Sequence, residues 1–388
     1  MSIYKKFGVK QVINAAFHLT RLGGSTLSPK VLEAMEEANE SYCYMWDLIQ
    51  KGGEHIAEKI DAPAAWITSG VFNSLVLSAA ACMAGKDPEK MGRLPQTEGI
   101  KNEFIIQRCA RLLVYDRSIE VAGGKFVFVG DERWGCKPEL IENAITEKTA
   151  GVHYAWPTRS NPGIVPLEDV VEVAHNYGIP VIVDAAGVTY PPEQLTEFVD
   201  MGCDLVAIGG KYVGGPNSTG FVYGREDLVE AVGLHSFIGV EAGPDEQSGY
   251  YRSIGRGYKL DRQEVIGLLV AFDEWFKIDH MKTRFEPAWE KTHYIENNIK
   301  SLPGLKDATF HYYPRSGEGT GYHTIGLQVI LENKSIEETN NILKRMRVDD
   351  PEIWVRNWGD SNDFIINCIN LKPGEEKTIV ERFTKIFS

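Results

Sequence analysis

The chain has 388 residues, which is enough for two or three domains that share a large core. Hydrophobic residues make up 43% and charged residues 24% of it, so wholesale disorder is excluded. The balance of 41 Lys and Arg against 54 Asp and Glu gives a net charge of −13, and sequence-independent binding to nucleic-acid phosphates is therefore not expected.

The sequence shows no signal for export, membrane insertion or metal binding. Residues 1–8 lack the apolar segment and cleavage site of a secretory signal, and the longest apolar run, 75–84, is half of what a bilayer requires. The six cysteines form no CxxC pair, and the histidines form no HExxH motif. We therefore expect a cytoplasmic protein with no metal site and no membrane partner.

The first 260 residues show the pattern of a layered α/β fold. Residues 1–60 contain a turn at 23–25 and a helix that Ser28 caps and Pro29 opens. Beyond them, apolar strands alternate with helices at 73–84, 167–177 and 192–201. The predicted strands are 64–67, 104–106, 125–129, 151–154, 180–183, 205–208 and 220–223. Strands that are apolar throughout and separated by helices predict a mostly parallel sheet that is covered on both faces.

The pattern changes at residue 261. Two long helices are predicted, over 262–280 and from 287 to 301. A strand, a helix, two strands and a final helix follow at 321–331, 335–346, 353–356, 364–369 and 374–387. The sequence thus predicts an N-terminal arm with helices at 1–60, a large α/β domain at 61–260, and long helices with a small α+β domain at 261–388.

Chemically distinctive residues follow two of the predicted strands, at the edge where open α/β sheets bind ligands. The strand at 64–67 runs through Thr68-Ser69-Gly70 directly into a helix, so its hydroxyls and the free helix amides suit a phosphate; an ordinary helix cap is the alternative. The strand at 180–183 ends in Asp184. A carboxylate in that position favours a cationic partner, unless it caps a helix or forms a structural ion pair.

A lysine follows a third predicted strand. The strand at 205–208 leads through Gly209-Gly210 to Lys211, inside a loop that contains four glycines. A P-loop is excluded because Tyr212 stands where Ser or Thr is required, although a surface turn with an incidental lysine remains possible. Taken together, a phosphate cup, a strand-end acid and a strand-end lysine match the needs of pyridoxal 5′-phosphate (PLP). The lysine holds the aldehyde as a Schiff base, and the acid keeps the ring nitrogen protonated.

Further motifs extend in order along nearly the whole chain. They lie at residues 13–15, 20–25, 68–70, 94–97, 101–103, 183–186, 209–220, 254–256 and 263–268. With them the chain resembles the fold-type I PLP-dependent enzymes, and within these the selenocysteine-synthase-like branch that includes D-glucosaminate-6-phosphate ammonia-lyases. The resemblance implies an α/β fold of the PLP-dependent transferase type, with a large mostly parallel sheet domain and a smaller C-terminal α+β domain.

The resemblance assigns roles to the residues at the strand ends. It implies that Lys211 forms the Schiff base, that Asp184 binds the ring nitrogen, and that Ser69, Gly70 and Val71 form the phosphate cup.

Other implied roles concern the cofactor phosphate and the substrate. Gly215 and Thr219 would lie near a phosphate, which could be that of a neighbouring subunit, and we expect a homodimer or a larger assembly of dimers. Arg356 matches an arginine of the small domain that could bind a substrate carboxylate. Arg256 is a candidate for binding an anionic group of the substrate, and a structural salt bridge is the alternative. Thr20 and Ser25 could border the substrate, and helix capping is the alternative for both.

The sequence departs from the family pattern in two places. The shared region starts near residue 10, without the additional domain that binds transfer RNA in bacterial selenocysteine synthases, so no nucleic-acid partner is expected. Where relatives place a histidine over the cofactor ring, this chain has Cys109-Ala110. Either another group covers the ring or the reaction differs.

The favoured reaction is β-elimination from a small hydroxy amino acid, such as a sugar amino acid, by an ammonia-lyase or dehydratase. Racemisation, aldol cleavage and β-replacement need the same residues, and these alternatives stay open. A non-catalytic protein that binds PLP or an amino metabolite is the alternative of another class.

Overall fold

The computed structural model describes residues 2–111, 116–156, 163–241, 252–313, 324–357 and 362–388. The chain divides into two compact units. One unit is Leu27–Phe276, and the other joins Met1–Thr26 to Lys277–Ser388. The predicted large domain, 61–260, lies inside the first of these; the domain boundaries at 60 and 260 remain predictions.

Strands and helices alternate through most of the described ranges. The strands there are β1 Val12–Ala15, β2 Ala64–Thr68, β3 Glu103–Gln107, β4 Lys125–Val129, β5 Thr149–Ala155, β6 Val181–Asp184, β7 Leu205–Gly209, β8 Gly220–Gly224, β9 Leu305–Tyr313, β10 Thr324–Leu331, β11 Glu352–Val355 and β12 Asp363–Asn367. The α-helices there are α1 Ile3–Lys6, α2 Pro29–Asn39, α3 Met45–Lys59, α4 Val71–Ala84, α5 Pro88–Arg93, α6 Arg117–Val121, α7 Pro138–Glu142, α8 Leu167–His175, α9 Gln194–Asp200, α10 Glu226–His235, α11 Arg262–Trp275, α12 Glu286–Ile299, α13 Ile336–Met346 and α14 Glu375–Phe387.

The unit Leu27–Phe276 is built around a seven-stranded sheet in the order β2-β8-β7-β6-β5-β3-β4. Strands β3 to β7 are parallel to one another, whereas β8 runs antiparallel to both β2 and β7. The strands β5 to β8 are buried along their whole length, and α4 is buried nearly all round against this sheet. The predicted mostly parallel sheet is thereby confirmed.

A carboxylate at the start of β7 connects the ends of several elements. Asp204 accepts hydrogen bonds from the amide of Val181 (2.8 Å), from Arg225 Nη1 (2.8 Å) and from His175 Nε2 (2.9 Å). Asp204 is 4% exposed, so its charge is matched inside the protein rather than by water. These bonds hold the start of β6 beside the start of β7, and they help to fix the register that carries Asp184 and Lys211 to the opposite edge.

The second unit contains two small sheets. β1 pairs in parallel with β11, and β10 lies between the antiparallel strands β9 and β12. Helices α12 and α14 pack on each other, and the apolar face of α14 buries Ile379 and Phe383. The predicted small α+β region is therefore present; of the strand predicted at 321–331, residues 321–323 lie outside the described residues.

The helix predicted over 262–280 ends earlier, at Trp275, and this prediction was wrong in its C-terminal turn. Asp279 explains the break, because its Oδ1 accepts from the amide of Lys282 (3.1 Å) and its carbonyl accepts from Thr283 Oγ1 (2.6 Å). An aspartate that bonds the following amides favours a new helical start over continuation. A π-helical turn, Met281–Phe285, then leads into α12. Among all described helices, none is long and apolar enough to cross a bilayer.

Candidate active site

The first part of the site is the junction between β2 and α4. Gly70 occupies it with φ +83°, a backbone conformation that side chains disfavour, and it is the N-cap of α4 without any side-chain cap. The first helical bond runs from the amide of Ser74 to the Gly70 carbonyl (3.0 Å). Within the described ranges the amides of Val71, Phe72 and Asn73 bond no protein acceptor, so this helix terminus has the free N–H groups that suit an anion.

The hydroxyl of Ser69 is already engaged in holding this turn. Ser69 Oγ donates to the carbonyl of Tyr258 (3.0 Å) and accepts from Asn73 Nδ2 (2.9 Å), which also donates to the Ser69 carbonyl (2.7 Å). Asn73 was not among the predicted site residues. Its signal in the sequence is an amide side chain in the first turn of a helix, from which it can bond back to the residue before the helix.

The second part is Asp184, the last residue of β6. It is 6% exposed, and its Oδ1 accepts from the amide of Ala186 (3.2 Å). Burial raises the pKa of this carboxyl to about 6; the Ala186 amide lowers it, and the nearby charge of Asp116 raises it. No lysine, arginine or histidine of the described residues forms an ion pair with Asp184. A buried carboxylate in this state favours an additional cationic or hydrogen-bond-donating partner.

The third part is Lys211, in the 3₁₀ turn Gly210–Val213 that follows β7. Its Nζ lies 5.2 Å from the ring centroid of Tyr212, and the side chain is half-buried. The turn is tightly packed, because the Gly210 amide bonds the carbonyl of Thr219 (2.9 Å) and a Cβ on Gly210 would overlap Thr219 Oγ1. Only a glycine fits there, so the backbone that presents the lysine is fixed.

The strand order brings these three parts to one edge of the sheet. β6 and β7 are parallel, with Asp184 opposite Ala207, so Asp184 and Lys211 both follow carboxyl ends at that edge. β8 reverses direction between β7 and β2, and Gly220 pairs with both Gly209 and Thr68. The α4 terminus, the lysine and the carboxylate therefore stand in that order, with neighbouring strands about 5 Å apart.

Gly215 and Thr219 lie in the lysine loop, at its base. The amide of Gly215 bonds the Gly210 carbonyl (2.8 Å), and Thr219 Oγ1 donates to the carbonyl of Pro216 (2.8 Å). Thr219 is 1% exposed. Both residues hold the loop closed in the isolated chain; their predicted nearness to a phosphate stays a prediction.

The predicted substrate-binding residues are distributed over both units. Arg256 belongs to the unit of Lys211 and forms an ion pair with Glu241. Thr20, Ser25 and Arg356 belong to the other unit. Thr20 opens a 3₁₀ turn, and Arg356 follows β11, where its backbone exchanges two 2.8 Å hydrogen bonds with Ile365. The structure does not bring these three together with Lys211 within one unit, and their substrate roles stay predictions.

The position of the missing ring-covering histidine lies in the 3₁₀ turn Arg108–Ala110, directly after β3. Cys109 Sγ donates to the carbonyl of Gly163 (3.6 Å), and burial raises the pKa of its thiol, so the sulfur stays protonated. On the strand next to Asp184, Trp156 follows β5 and donates its amide to the Asp184 carbonyl (2.9 Å). Trp156 was not among the predicted site residues; its signal in the sequence is an aromatic residue at a strand end.

The sequence of the chain matches a known protein family. The aminotransferase class-V family matches residues 122–317. The chain belongs to this family. The resemblance to fold-type I PLP enzymes that the sequence shows is thereby confirmed, and membership of the class-V family indicates pyridoxal 5′-phosphate as the cofactor.

Individual relatives of this class-V chain have different activities. It is 27% identical to a 5′-C-glycyluridine monooxygenase-decarboxylase of Streptomyces sp. over 99% of this chain and 91% of the relative. It is 27% identical to a D-glucosaminate-6-phosphate ammonia lyase of Salmonella typhimurium (strain 14028s / SGSC 2262) over 71% of this chain and 70% of the relative. An L-seryl-tRNA(Sec) selenium transferase of Aquifex aeolicus (strain VF5) is 26% identical over 81% of this chain and 71% of the relative.

Among solved structures, a D-glucosaminate-6-phosphate ammonia-lyase superposes with a TM-score of 0.81 at 24% identity, covering 100% of this chain and 98% of the other. This likeness establishes the fold.

The site residues of the class-V chain fit PLP. The free amides at the start of α4 suit its phosphate, the uncompensated Asp184 suits a protonated ring nitrogen, and Lys211 carries a primary amine of the kind that an aldehyde can bind. Among the described residues, no group of three or more His, Cys, Asp or Glu is placed to hold a metal ion.

Proposed function

We propose that this class-V protein is a PLP-dependent ammonia-lyase or dehydratase that acts on a small hydroxy amino acid, such as a sugar amino acid. The observation that carries the proposal is the order of α4 terminus, Lys211 and Asp184 along one sheet edge. The relative named as a D-glucosaminate-6-phosphate ammonia lyase supports the choice of elimination.

Each residue has a separate task in this proposal. When bound, the cofactor supplies an electron sink for the electron pair that remains at the α-carbon after proton removal. Asp184 accepts the ring N–H and keeps that nitrogen positively charged, and the helix amides after Gly70 bind the phosphate. Lys211 Nζ takes the α-proton as a base. Departure of the β-hydroxyl, with hydrolysis, leaves a 2-keto acid and ammonia.

The substrate carboxylate is assigned to Arg356 as a bidentate ion pair, with Thr20 and Ser25 beside the substrate and Arg256 as a further anion contact. The ion pair between Arg256 and Glu241 gives Arg256 a structural role as well.

A second candidate is oxygen-dependent decarboxylation. It is favoured by the monooxygenase-decarboxylase relative, which matches 99% of the chain. That reaction removes the carboxylate as CO₂ and consumes O₂, whereas elimination releases ammonia without O₂. Racemisation, aldol cleavage and β-replacement use the same residues and are distinguished by their products.

The test is covalent trapping followed by product analysis. Borohydride reduction of the purified holoenzyme should attach the cofactor mass to Lys211, and Lys211→Ala should be colourless and inactive. The matched control is Lys125→Ala, an exposed lysine at the opposite end of the sheet, which should remain yellow and active. Full turnover by Lys211→Ala would refute the catalytic assignment, and a labelled, inert wild type would favour the non-catalytic binding protein.

The products decide between the reactions. Incubation with hydroxy amino acids should release ammonia and a keto acid in equal amounts, with no O₂ uptake. Deuterium incorporated at the α-carbon without ammonia would indicate a racemase. Release of CO₂ with O₂ consumption would establish the second candidate instead.

A further inference from the structure

Two arginines share one indole in the unit that contains the C-terminal region. The Arg347 guanidinium carbon lies 3.8 Å from the ring centroid of Trp354, and that of Arg21 lies 5.9 Å from the same ring. These three residues are called the two-arginine cluster here. All of them belong to the unit Met1–Thr26 with Lys277–Ser388, although they come from opposite ends of the chain.

No carboxylate of the described residues is paired with either arginine of the cluster. In the described part of the protein neither Arg21 nor Arg347 forms a side-chain hydrogen bond or an ion pair, and Arg347 Nε is buried without an acceptor. The carboxylate in the neighbourhood, Glu352, accepts from Trp354 Nε1 (3.1 Å) and pairs with Lys10 (3.7 Å). A buried donor that lacks an acceptor costs free energy, and two adjacent cations add repulsion.

The titration of Arg347 agrees with this picture. Burial lowers the pKa of its guanidinium, and the positive charge of Arg21 lowers it further, whereas Glu352 acts in the opposite direction. An anion bound within reach of both arginines would offset both unfavourable effects.

Hydrogen bonds to the backbone on both sides of Arg347 hold this part of the cluster in place. Arg347 is the C-cap of α13, and the buried Arg382 donates to the carbonyls of Met346 (2.7 Å) and Pro351 (3.2 Å) on either side of it. Trp354 stands on β11 opposite Asn14 of β1. Stacking on the indole restricts the guanidinium rotamers, which reduces the entropy lost when they bind a ligand.

We propose that the two-arginine cluster binds a phosphate group, either as a phosphate monoester carried by the substrate or as free phosphate. Two guanidinium forks provide parallel N–H donors, which match the geometry and the dianionic charge of a phosphate better than those of a single carboxylate. Only the substrate-borne form rests on the proposed function; binding of inorganic phosphate does not depend on it.

Direct binding is tested with inorganic phosphate on the holoenzyme, by equilibrium dialysis with radiolabelled phosphate. Wild type should bind one phosphate per chain in a saturable manner. Arg21→Gln and Arg347→Gln should each weaken this binding about tenfold, and the double variant should abolish it. Arg345→Gln, an exposed arginine in the same helix, is the matched control and should bind like wild type.

The variants need a separate check of folding. Arg21 is exposed in a 3₁₀ turn, so Arg21→Gln should retain the circular dichroism and thermal transition of wild type even if Arg347→Gln is destabilised. The proposal would be overturned if folded Arg21→Gln and the double variant both bound phosphate with the affinity of wild type.

The source of the phosphate is distinguished by turnover of a matched pair, D-glucosaminate 6-phosphate and D-glucosaminate. If the substrate carries the phosphate, Arg21→Gln should raise KM about tenfold for the phosphorylated compound alone, at unchanged kcat. If free phosphate is the ligand, both KM values should stay unchanged while dialysis still shows the loss of binding. Absence of turnover with either compound would count against the proposed substrate class and leave the dialysis result as the measure of the site.

Discussion

Asp184 shows how a single buried carboxyl prepares a site for a cation. Its environment in the chain consists of burial, one amide donor and the charge of Asp116, and these together raise its pKa to about 6. The protein therefore bears a free-energy cost for the charged form until a positive partner arrives. A protonated ring nitrogen would convert this cost into binding energy for the cofactor.

This cost predicts a pH dependence of apoprotein stability. The pKa of Asp184 is raised from its ordinary value near 3.8, so the folded state keeps its proton between about pH 4 and pH 6 while the unfolded chain loses it. Stability from this group is therefore present at low pH and is lost as pH rises to 6, by about 3 kcal/mol. Asp184→Asn should remove that loss, as measured by urea unfolding of the apoprotein across this range.

The control for this measurement is Asp200→Asn, an exposed aspartate at the end of α9. It should follow the wild-type pH profile. Parallel profiles for wild type and Asp184→Asn would contradict the buried, uncompensated carboxyl. In the holoenzyme the same Asp184→Asn variant should retain the cofactor poorly.

At the residue scale, the sequence could indicate which side chains reach the edge of the sheet but not which of their atoms are already used. Ser69 was predicted from its place before a helix, yet its hydroxyl proton points to the Tyr258 carbonyl, a partner 189 residues away in the sequence. Likewise, Arg256 pairs with Glu241. The two-arginine cluster escaped prediction because Arg21 and Trp354 come together only through the pairing of β1 with β11.

At the scale of elements, the glycine-rich turn after β7 determines where the lysine stands. Gly210 leaves no room for a side chain, because a Cβ would overlap Thr219 Oγ1 and lie 2.9 Å from Leu268 Cδ1. We predict that Gly210→Ala destabilises the protein by about 1–3 kcal/mol and weakens cofactor retention, since the turn must shift. Thermal melting and the visible absorbance of the purified variant measure these two effects.

Gly257→Ala is the matched control, because a Cβ at Gly257 meets no atom within 4 Å. It should melt and absorb like wild type. If Gly210→Ala behaved in the same way, the tight packing of the lysine turn would have no energetic importance.

Elements with strong local signals were predicted well. The strands of the large sheet were placed within two residues, since each is a short apolar run between polar turns. Several elements were not predicted, including β1, α3, β9 and α10. β1 has only four residues, and it is stabilised by pairing with β11, more than 300 residues later, so its local sequence gives little indication of a strand.

At the scale of the whole molecule, the assembly of subunits remains a prediction. Several large apolar side chains of the unit Leu27–Phe276 are exposed in the single chain, among them Tyr42 (93%) and Trp134 (78%). Surfaces of this kind are typical of protein contacts, although isolated exposed aromatic residues also occur on monomers. They support the homodimer, or assembly of dimers, that the family resemblance implies.

We predict that the holoenzyme sediments as a dimer or larger, and that activity falls together with the dimer on dilution, because the family resemblance implies a site that a neighbouring subunit completes. Analytical ultracentrifugation combined with activity measurements over the same concentration range tests this. Monomers with full activity would contradict it.

The division of the chain was not visible in the sequence, since the first 26 residues group with the C-terminal region rather than with the helices that follow them. Local composition does not change at residue 26, and the grouping arises from long-range pairing.

The position of β2 at the end of the sheet affects how the nascent chain folds during translation. Its sheet neighbour is β8, which ends at Gly224, so the earliest strand of this sheet must wait for about 150 later residues before it can dock. The edge of β2 that pairs with β8 is therefore unpaired while these residues are being synthesised. Cofactor binding can therefore begin only after β7, the lysine turn and β8 have been translated.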